Sequence, residues 1–202
     1  MYEILLVALG IALAAVFGLA RHRLASFAAQ SPEDYSVGGD IFDPRRHLNG
    51  ALLCEGVIHG PTGRVVSRFA ADIDVAWDGD TAIMRELFRY DDGTTRERGW
   101  QLSLLPGGRI EARADDVVGL GHGTFSGPAL GLRYRLRLPE SSGGHVLNAV
   151  DWMYLTPDGT IVNRSQFRKF GVTVAELVAT MRPRAVRDHL VPAGSEPGDV
   201  AA

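Results

Sequence analysis

The chain has one cysteine, one lysine, no basic cluster and no pair of histidines at metal-ligand spacing, and each shortage closes off a class of function. A single thiol, Cys54, excludes an internal disulfide framework and any multi-cysteine metal site, while leaving the redox compartment open. With a net charge of -3, a pI near 6.1 and scattered arginines, there is no concentrated positive surface to neutralise phosphates, so nucleic acid is not an expected partner. Cys54 and His59 differ in strand parity and would point to opposite faces, and none of the six histidines has a partner at ligand spacing. No metal site and no cofactor is expected.

What is present begins with Ile4 to Ala20, "ILLVALGIALAAVFGLA", an unbroken apolar run of 17 residues. As a helix it would rise about 25 Å at ~1.5 Å per residue, close to a ~30 Å hydrocarbon core. No basic residue precedes the run, unlike a cleaved signal, and nothing amphipathic marks a solvent face, unlike a core helix. Residues 1–23 are therefore expected to be an uncleaved membrane-anchor helix. Arg21, His22 and Arg23 follow at once, which favours a cytoplasmic domain.

With 202 residues and 46% apolar content, one domain with appendages is expected. Residues 24–46 are mixed and turn-rich and read as a linker. From 47 to 182, alternating apolar and polar residues recur about every ten positions between turn clusters such as "GPTG", "WDGD", "YDDGTT", "LPGGR" and "TPDGT". That rhythm predicts an all-β domain of hairpins, a sandwich or an antiparallel up-and-down barrel of about ten strands. "TVAELVATM" has a capping-box spacing at Thr173 and Glu176, but its alternation favours a strand. Residues 183–202, rich in Pro, Gly and Ala, read as a disordered tail.

Side chains alternate faces along a strand, so position parity shows which groups share a surface. In "AIMRELFRY" the even residues Ala82, Met84, Glu86, Phe88 and Tyr90 lie together, and in "RERGWQL" so do Arg98, Trp100 and Leu102. A three-residue loop Asp92-Gly93-Thr94 would set Phe88 opposite Arg98 and Glu86 opposite Trp100, leaving Glu86 and Arg98 diagonal neighbours within pairing reach. As a paired bridge they are structural; as a lone buried acid, Glu86 would be catalytic. In "DWMYLTPDGTIVNRSQFRKFG", the loop Pro157-Asp158-Gly159 sets Asp151 opposite Ser165, Met153 opposite Asn163, Leu147 opposite Lys169 and Trp152 opposite Arg164. The last pair is a candidate cation-π contact. Asp151, Asn163, Ser165 and Lys169 thus share a face with Leu147, Met153, Leu155 and Phe167. Such a mixed surface suits either an amphipathic ligand or a closed polar network. A carboxylate and a lysine there are costly unless paired or used.

Other motifs carry less. "GLGHG", Gly119 to Gly123, lacks the strand-loop-helix setting of a phosphate loop. Asp116, His122 and Ser126 share parity, but along one extended strand His122 lies about 20 Å from Asp116 and about 13 Å from Ser126, too far for a triad.

From about Phe42 to Arg182 the chain resembles a bacterial family known as domain of unknown function 3833, whose members are often described as lipoproteins. The resemblance is carried by "LNG" at Leu48 to Gly50, Arg68-Phe69, "MRELFRYDDG", Arg98 with Trp100, "ADDVVG", "GPAL", Tyr134, "DWMY" and "NRSQFRKFGV". It implies a lipocalin-like barrel attached to a membrane, with relatives often encoded near genes that modify fatty acids. The polar positions it matches are Glu86, Arg98, Asp116, Asp151, Asn163, Arg164 and Lys169. Two departures are clear. Relatives often carry an acylated cysteine after the signal, whereas Cys54 lies far past the apolar run, and Pro128 stands where relatives tend to have Asn. A lipid-anchored relative would sit outside the inner membrane, opposite to the side that the flanking arginines favour.

The first expectation is therefore a tethered barrel that binds a lipid or fatty-acid-like molecule. Asp151, Lys169 and Arg98 would hold its head group while Trp100, Phe88 and Met153 line its apolar part, with Glu86, Asn163 and Ser165 on the same surface. The second is an enzyme acting on such a lipid with Asp116 or Asp151 as general base, helped by Lys169 or Arg98. The third is an envelope scaffold whose barrel is filled by its own side chains.

Overall fold

Residues 2–184 are described by a computed structural model. After a helix, α1 (Tyr2–Leu24), the chain builds ten antiparallel strands: β1 (Gly50–His59), β2 (Val65–Asp78), β3 (Thr81–Tyr90), β4 (Thr95–Leu105), β5 (Arg109–Arg113), β6 (Gly121–Ser126), β7 (Ala129–Arg137), β8 (Val146–Leu155), β9 (Ile161–Lys169) and β10 (Val172–Pro183). Each pairs with its sequence neighbour, and β1 pairs with β10 to close the barrel. Every connection is a hairpin or short loop, as the recurring turn clusters predict. "TVAELVATM" lies within β10 and is a strand.

Alternation places the core. In β7, Leu130, Leu132, Tyr134 and Leu136 are buried while Arg133, Arg135 and Arg137 are exposed. In β4, Trp100, Leu102 and Leu104 point inward beside Met84 and Ala82 of β3. Each fully buried side chain of this size contributes about 1.5–3 kcal/mol. One end of the barrel is plugged. Asp43 caps a single helical turn, α2 (Pro44–His47), by accepting from the Arg45 amide at 3.0 Å, and this turn brings Phe42, Pro44 and Leu48 under the strands. The Trp77 indole donates to the Leu48 carbonyl at 2.7 Å and fixes the plug in place.

Residues 24–46 are more than the linker their composition predicts. Two 3-10 turns, Phe27–Ala29 and Pro32–Tyr35, lie against the outside of the barrel, where Phe27, Ala28 and Tyr35 pack on Ala129, Val150 and Trp152. Arg133 donates to the carbonyls of Ala28 and Gln30, and Tyr154 donates to Gln30 Oε1 at 2.6 Å. Gly127, at φ 49°, lies where a Cβ would collide with the Tyr35 carbonyl oxygen, so the strap requires glycine there.

The structure corrects the anchor. α1 forms over the apolar run, and Ile4, Leu5, Val7 and Phe17 are exposed on it. Yet the run rises only about 25 Å against a hydrocarbon core of about 30 Å. Among the described residues no helix is long and apolar enough to cross a membrane, which overturns the expected inner-membrane anchor through Ile4 to Ala20. The tail expected over 183–202 falls outside the described residues from 185 onward. Pro183 ends β10, and the Arg184 amide donates to the Ala51 carbonyl at 2.9 Å.

Two further corrections concern pairing. The β3–β4 ladder sets Glu86 directly opposite Arg98 and Met84 opposite Trp100, two residues away from the predicted register. The loop is Asp91-Asp92-Gly93: Tyr90 donates to Thr94, and Gly93, at φ 83°, takes the left-handed third position that Thr94 would resist. Because the slip is an even number, every side chain keeps its face. The β8–β9 ladder has the predicted register, with Asp151 opposite Ser165, Met153 opposite Asn163 and Trp152 opposite Arg164. The cation-π contact predicted for the last pair does not form. Arg164 lies 4.5 Å over the Phe27 ring and pairs with Glu176, while Trp152 packs against Tyr35.

Candidate functional site

The strand ends opposite the plug form a mouth, and two cavities lie in line behind it. The outer one, about 460 Å³, is lined by Ile58, Phe88, Tyr90, Leu136, Leu147 and Phe167, with Arg96, Asp116, His145 and Lys169 among its polar groups. The inner one, about 100 Å³, is walled by apolar residues from Phe69 and Trp100 down to Leu48 and Met181. They share Phe88, Arg98, Phe167 and Leu177. Together they reach the ~300–1,000 Å³ range usual for small-molecule sites.

A belt of polar groups surrounds the inner cavity: Glu86, Arg98, Tyr134, Asp151, Asn163 and Ser165. Asp151, 8% exposed, accepts at Oδ1 from Asn163 Nδ2 at 2.5 Å and from Ser165 Oγ at 2.8 Å. Burial pushes its carboxyl above the ordinary range, and these two donors only partly offset that. Glu86 accepts from Trp100 Nε1 at 3.2 Å and is pushed up to about 7, chiefly by burial, with Arg98 opposing. Cys54 lines the same cavity, and burial pushes its thiol up to about 12. Burial also raises the phenol of Tyr134.

Arg98 stands between the cavities. Its guanidinium lies 4.2 Å over the Trp100 ring and 5.8 Å from that of Tyr134, and the two rings meet edge-on at 5.3 Å. It does not bond to Glu86, its partner across the ladder. Nε and Nη2 donate to Asp116 Oδ1 at 3.1 and 2.9 Å, and Arg96 Nη2 donates to Asp116 Oδ2 at 3.0 Å.

The sequence candidates therefore divide. Glu86, Phe88, Arg98, Trp100, Asp151, Met153, Asn163 and Ser165 converge on the interior, because parity is a local property that folding preserves. Lys169 lines the mouth cavity and not the inner one; its ammonium lies 5.5 Å over the Phe170 ring. Asp116 lines the mouth cavity, held by Arg96 and Arg98. His122 faces Glu111 at 3.8 Å, away from Asp116. Residues not singled out for the site are Tyr134, Arg96 and Cys54. Tyr134 shares parity with Leu130 and Leu132, a signal that could have found it.

A closed antiparallel barrel with one plugged end, one open mouth and an interior cavity defines a lipocalin-like protein. The chain belongs to the family described as protein of unknown function (DUF3833), which it matches over residues 22–183. Solved structures share the fold, among them the two that follow. The S-type phycobiliprotein lyase CPES from Guillardia theta is 9% identical, with a TM-score of 0.52, covering 70% of this chain and 90% of the lyase. Rv2717c from M. tuberculosis is 16% identical, with a TM-score of 0.52, covering 69% of this chain and 94% of its own. At such identities the likeness is one of fold alone. No curated protein matches the chain.

Proposed function

We propose that this protein binds a small amphipathic molecule of the lipid or fatty-acid class inside its barrel. The observation that carries this is the pair of neighbouring cavities, mostly apolar in lining, that share Phe88, Arg98, Phe167 and Leu177 as lining residues. Phe88, Trp100, Met153 and Phe167 would receive the apolar body. Arg98, Asp151 and, at the rim, Lys169 would contact polar groups. The third expectation, a barrel filled by its own side chains, is favoured less by the volume at the mouth, about 460 Å³, than by the inner cavity's about 100 Å³.

The test is direct. Purified protein is extracted with organic solvent and analysed by mass spectrometry, then titrated with dodecanoate and dodecanol while tryptophan fluorescence is read. Leu177 lines both cavities, so Leu177→Trp should weaken uptake at least tenfold with an unchanged circular dichroism spectrum. No extracted ligand and no uptake of either probe would overturn the reading.

One observation favours an enzymatic second reading: Glu86 and Asp151 line one cavity and both hold their protons more tightly than ordinary carboxyls, as acid-base chemistry requires. Recovery of a chemically altered ligand, abolished in Asp151→Asn but not in the surface variant Asp91→Asn, would support it. Recovery of unchanged ligand leaves carriage.

A further inference from the structure

The barrel wall contains a seam. β4 pairs with β5 only over Gln101–Leu105, and β6 pairs with β7 only over Ala129–Arg133. Above these, the mouthward part of β4, which includes Arg96 and Arg98, has no strand on that side. Residues 114–120 fill the interval. Their backbone is fastened to β7: Val118 donates to the Arg135 carbonyl at 2.8 Å, the Arg137 amide donates to that of Asp116 at 2.7 Å, and Val117 bridges Leu136. Among the described residues no backbone hydrogen bond joins this segment to β4. Beside the buried Val117, the polar link across the seam is one carboxylate, that of Asp116, gripped by Arg96 and Arg98 through three charge-assisted bonds.

We propose that the Arg96–Arg98 fork is the recognition site for the carboxylate of the ligand, and that Asp116 holds the ligand's place there and is displaced on binding, loosening the 114–120 segment. This rests on the ligand-binding reading above. Three observations converge on it. Arg98 lines both cavities, so a ligand whose body occupies them has its end within reach of the fork. Two arginines on one carboxylate form a planar, bidentate-capable receptor that suits another carboxylate and not an alcohol or amide. The side chains of Arg98 and Asp116 are only 17% and 16% exposed, so exchanging one carboxylate for another keeps the fork paired, whereas a neutral head group would leave buried charge unmatched.

The experiment compares dodecanoate with dodecanol on the full chain and on three variants. Asp116→Asn keeps the shape but weakens the competitor, so dodecanoate affinity should rise at least fivefold while dodecanol is unaffected. Arg96→Met and Arg98→Met should each lose the preference for dodecanoate over dodecanol. In wild-type protein, dodecanoate but not dodecanol should speed hydrogen exchange at the amides of Val118 and Arg137. Thermal melts confirm that each variant is folded. If Arg98→Met does not fold, Arg96→Met and the exchange measurement still decide. Equal binding of both probes with no effect of Asp116→Asn would overturn the inference and leave the ligand-binding reading standing. Binding of neither probe by any variant would overturn both.

Discussion

Glu86 faces Arg98 directly across the β3–β4 ladder, yet the guanidinium gives its hydrogen bonds to Asp116 and leaves Glu86 with the Trp100 indole. The consequence is a carboxyl group inside the barrel that keeps its proton toward neutral pH, beside an arginine already committed to a loop.

Glu86 should make stability fall as pH rises. Its carboxyl goes from an ordinary 4.5 to about 7 on folding. Below 4.5 it is protonated in both states, and its burial carries no charge cost. Between 4.5 and 7 the unfolded chain releases the proton while the folded chain keeps it, so the native state loses ground. Above 7 the loss is complete, amounting to at most about 3 kcal/mol. Glu86→Gln retains an acceptor for Trp100 and should be more stable than wild type at pH 8 and nearly equal at pH 4. Urea denaturation across that range checks it; parallel curves for the two proteins would show that Glu86 does not carry the effect.

Arg98 and Asp116 should be energetically coupled. Both are largely buried and bonded through two donors of one guanidinium, so a double-mutant cycle with Arg98→Met and Asp116→Ala should return about 1.5–3 kcal/mol. The exposed pair Arg68–Asp91, treated the same way, should return under about 1 kcal/mol. Denaturant melts measure both.

Phe170 is the one described non-glycine residue with positive φ, at 51°, followed by Gly171 at 81° in the two-residue β9–β10 turn. Both central positions of such a turn require left-handed backbone, and Asn-Gly satisfies them best. The Phe170 ring is 93% exposed and offsets little of that strain. Phe170→Asn should therefore raise stability by about 0.5–1 kcal/mol, read as a higher Tm; a lower Tm would mean that the ring supports the mouth.

Cys54 should resist thiol reagents in the folded protein. It is 5% exposed, and burial pushes its thiol up to about 12, so almost no thiolate exists at pH 8. Its reaction with a disulfide reagent should be at least a hundredfold slower in buffer than in 6 M guanidinium. Comparable rates would mean that the inner cavity opens readily.

Much of the barrel and most of its interior were legible in the linear pattern because both depend on neighbours two positions apart. The β3–β4 register shows how robust that is: the turn was misplaced by one residue, the pairing slipped by two, and Glu86, Phe88, Arg98 and Trp100 still shared a face. Groups carried by loops have no such rule. Nothing local says that Asp116 turns back to Arg96 and Arg98, or that residues 27–35 lie on Trp152, since these contacts join positions with no common period.

By itself, the sequence determined the strands and their inward and outward faces, because alternation acts along the chain. Only the tertiary structure decided where the charge goes: it closed the ring of ten strands, plugged one end with Phe42 and Leu48, and chose Asp116 over Glu86 as the partner of Arg98. That choice depends on which carboxylate can bring two oxygens within reach of two arginines across a gap in the wall, a matter of three-dimensional distance that no spacing in the sequence encodes.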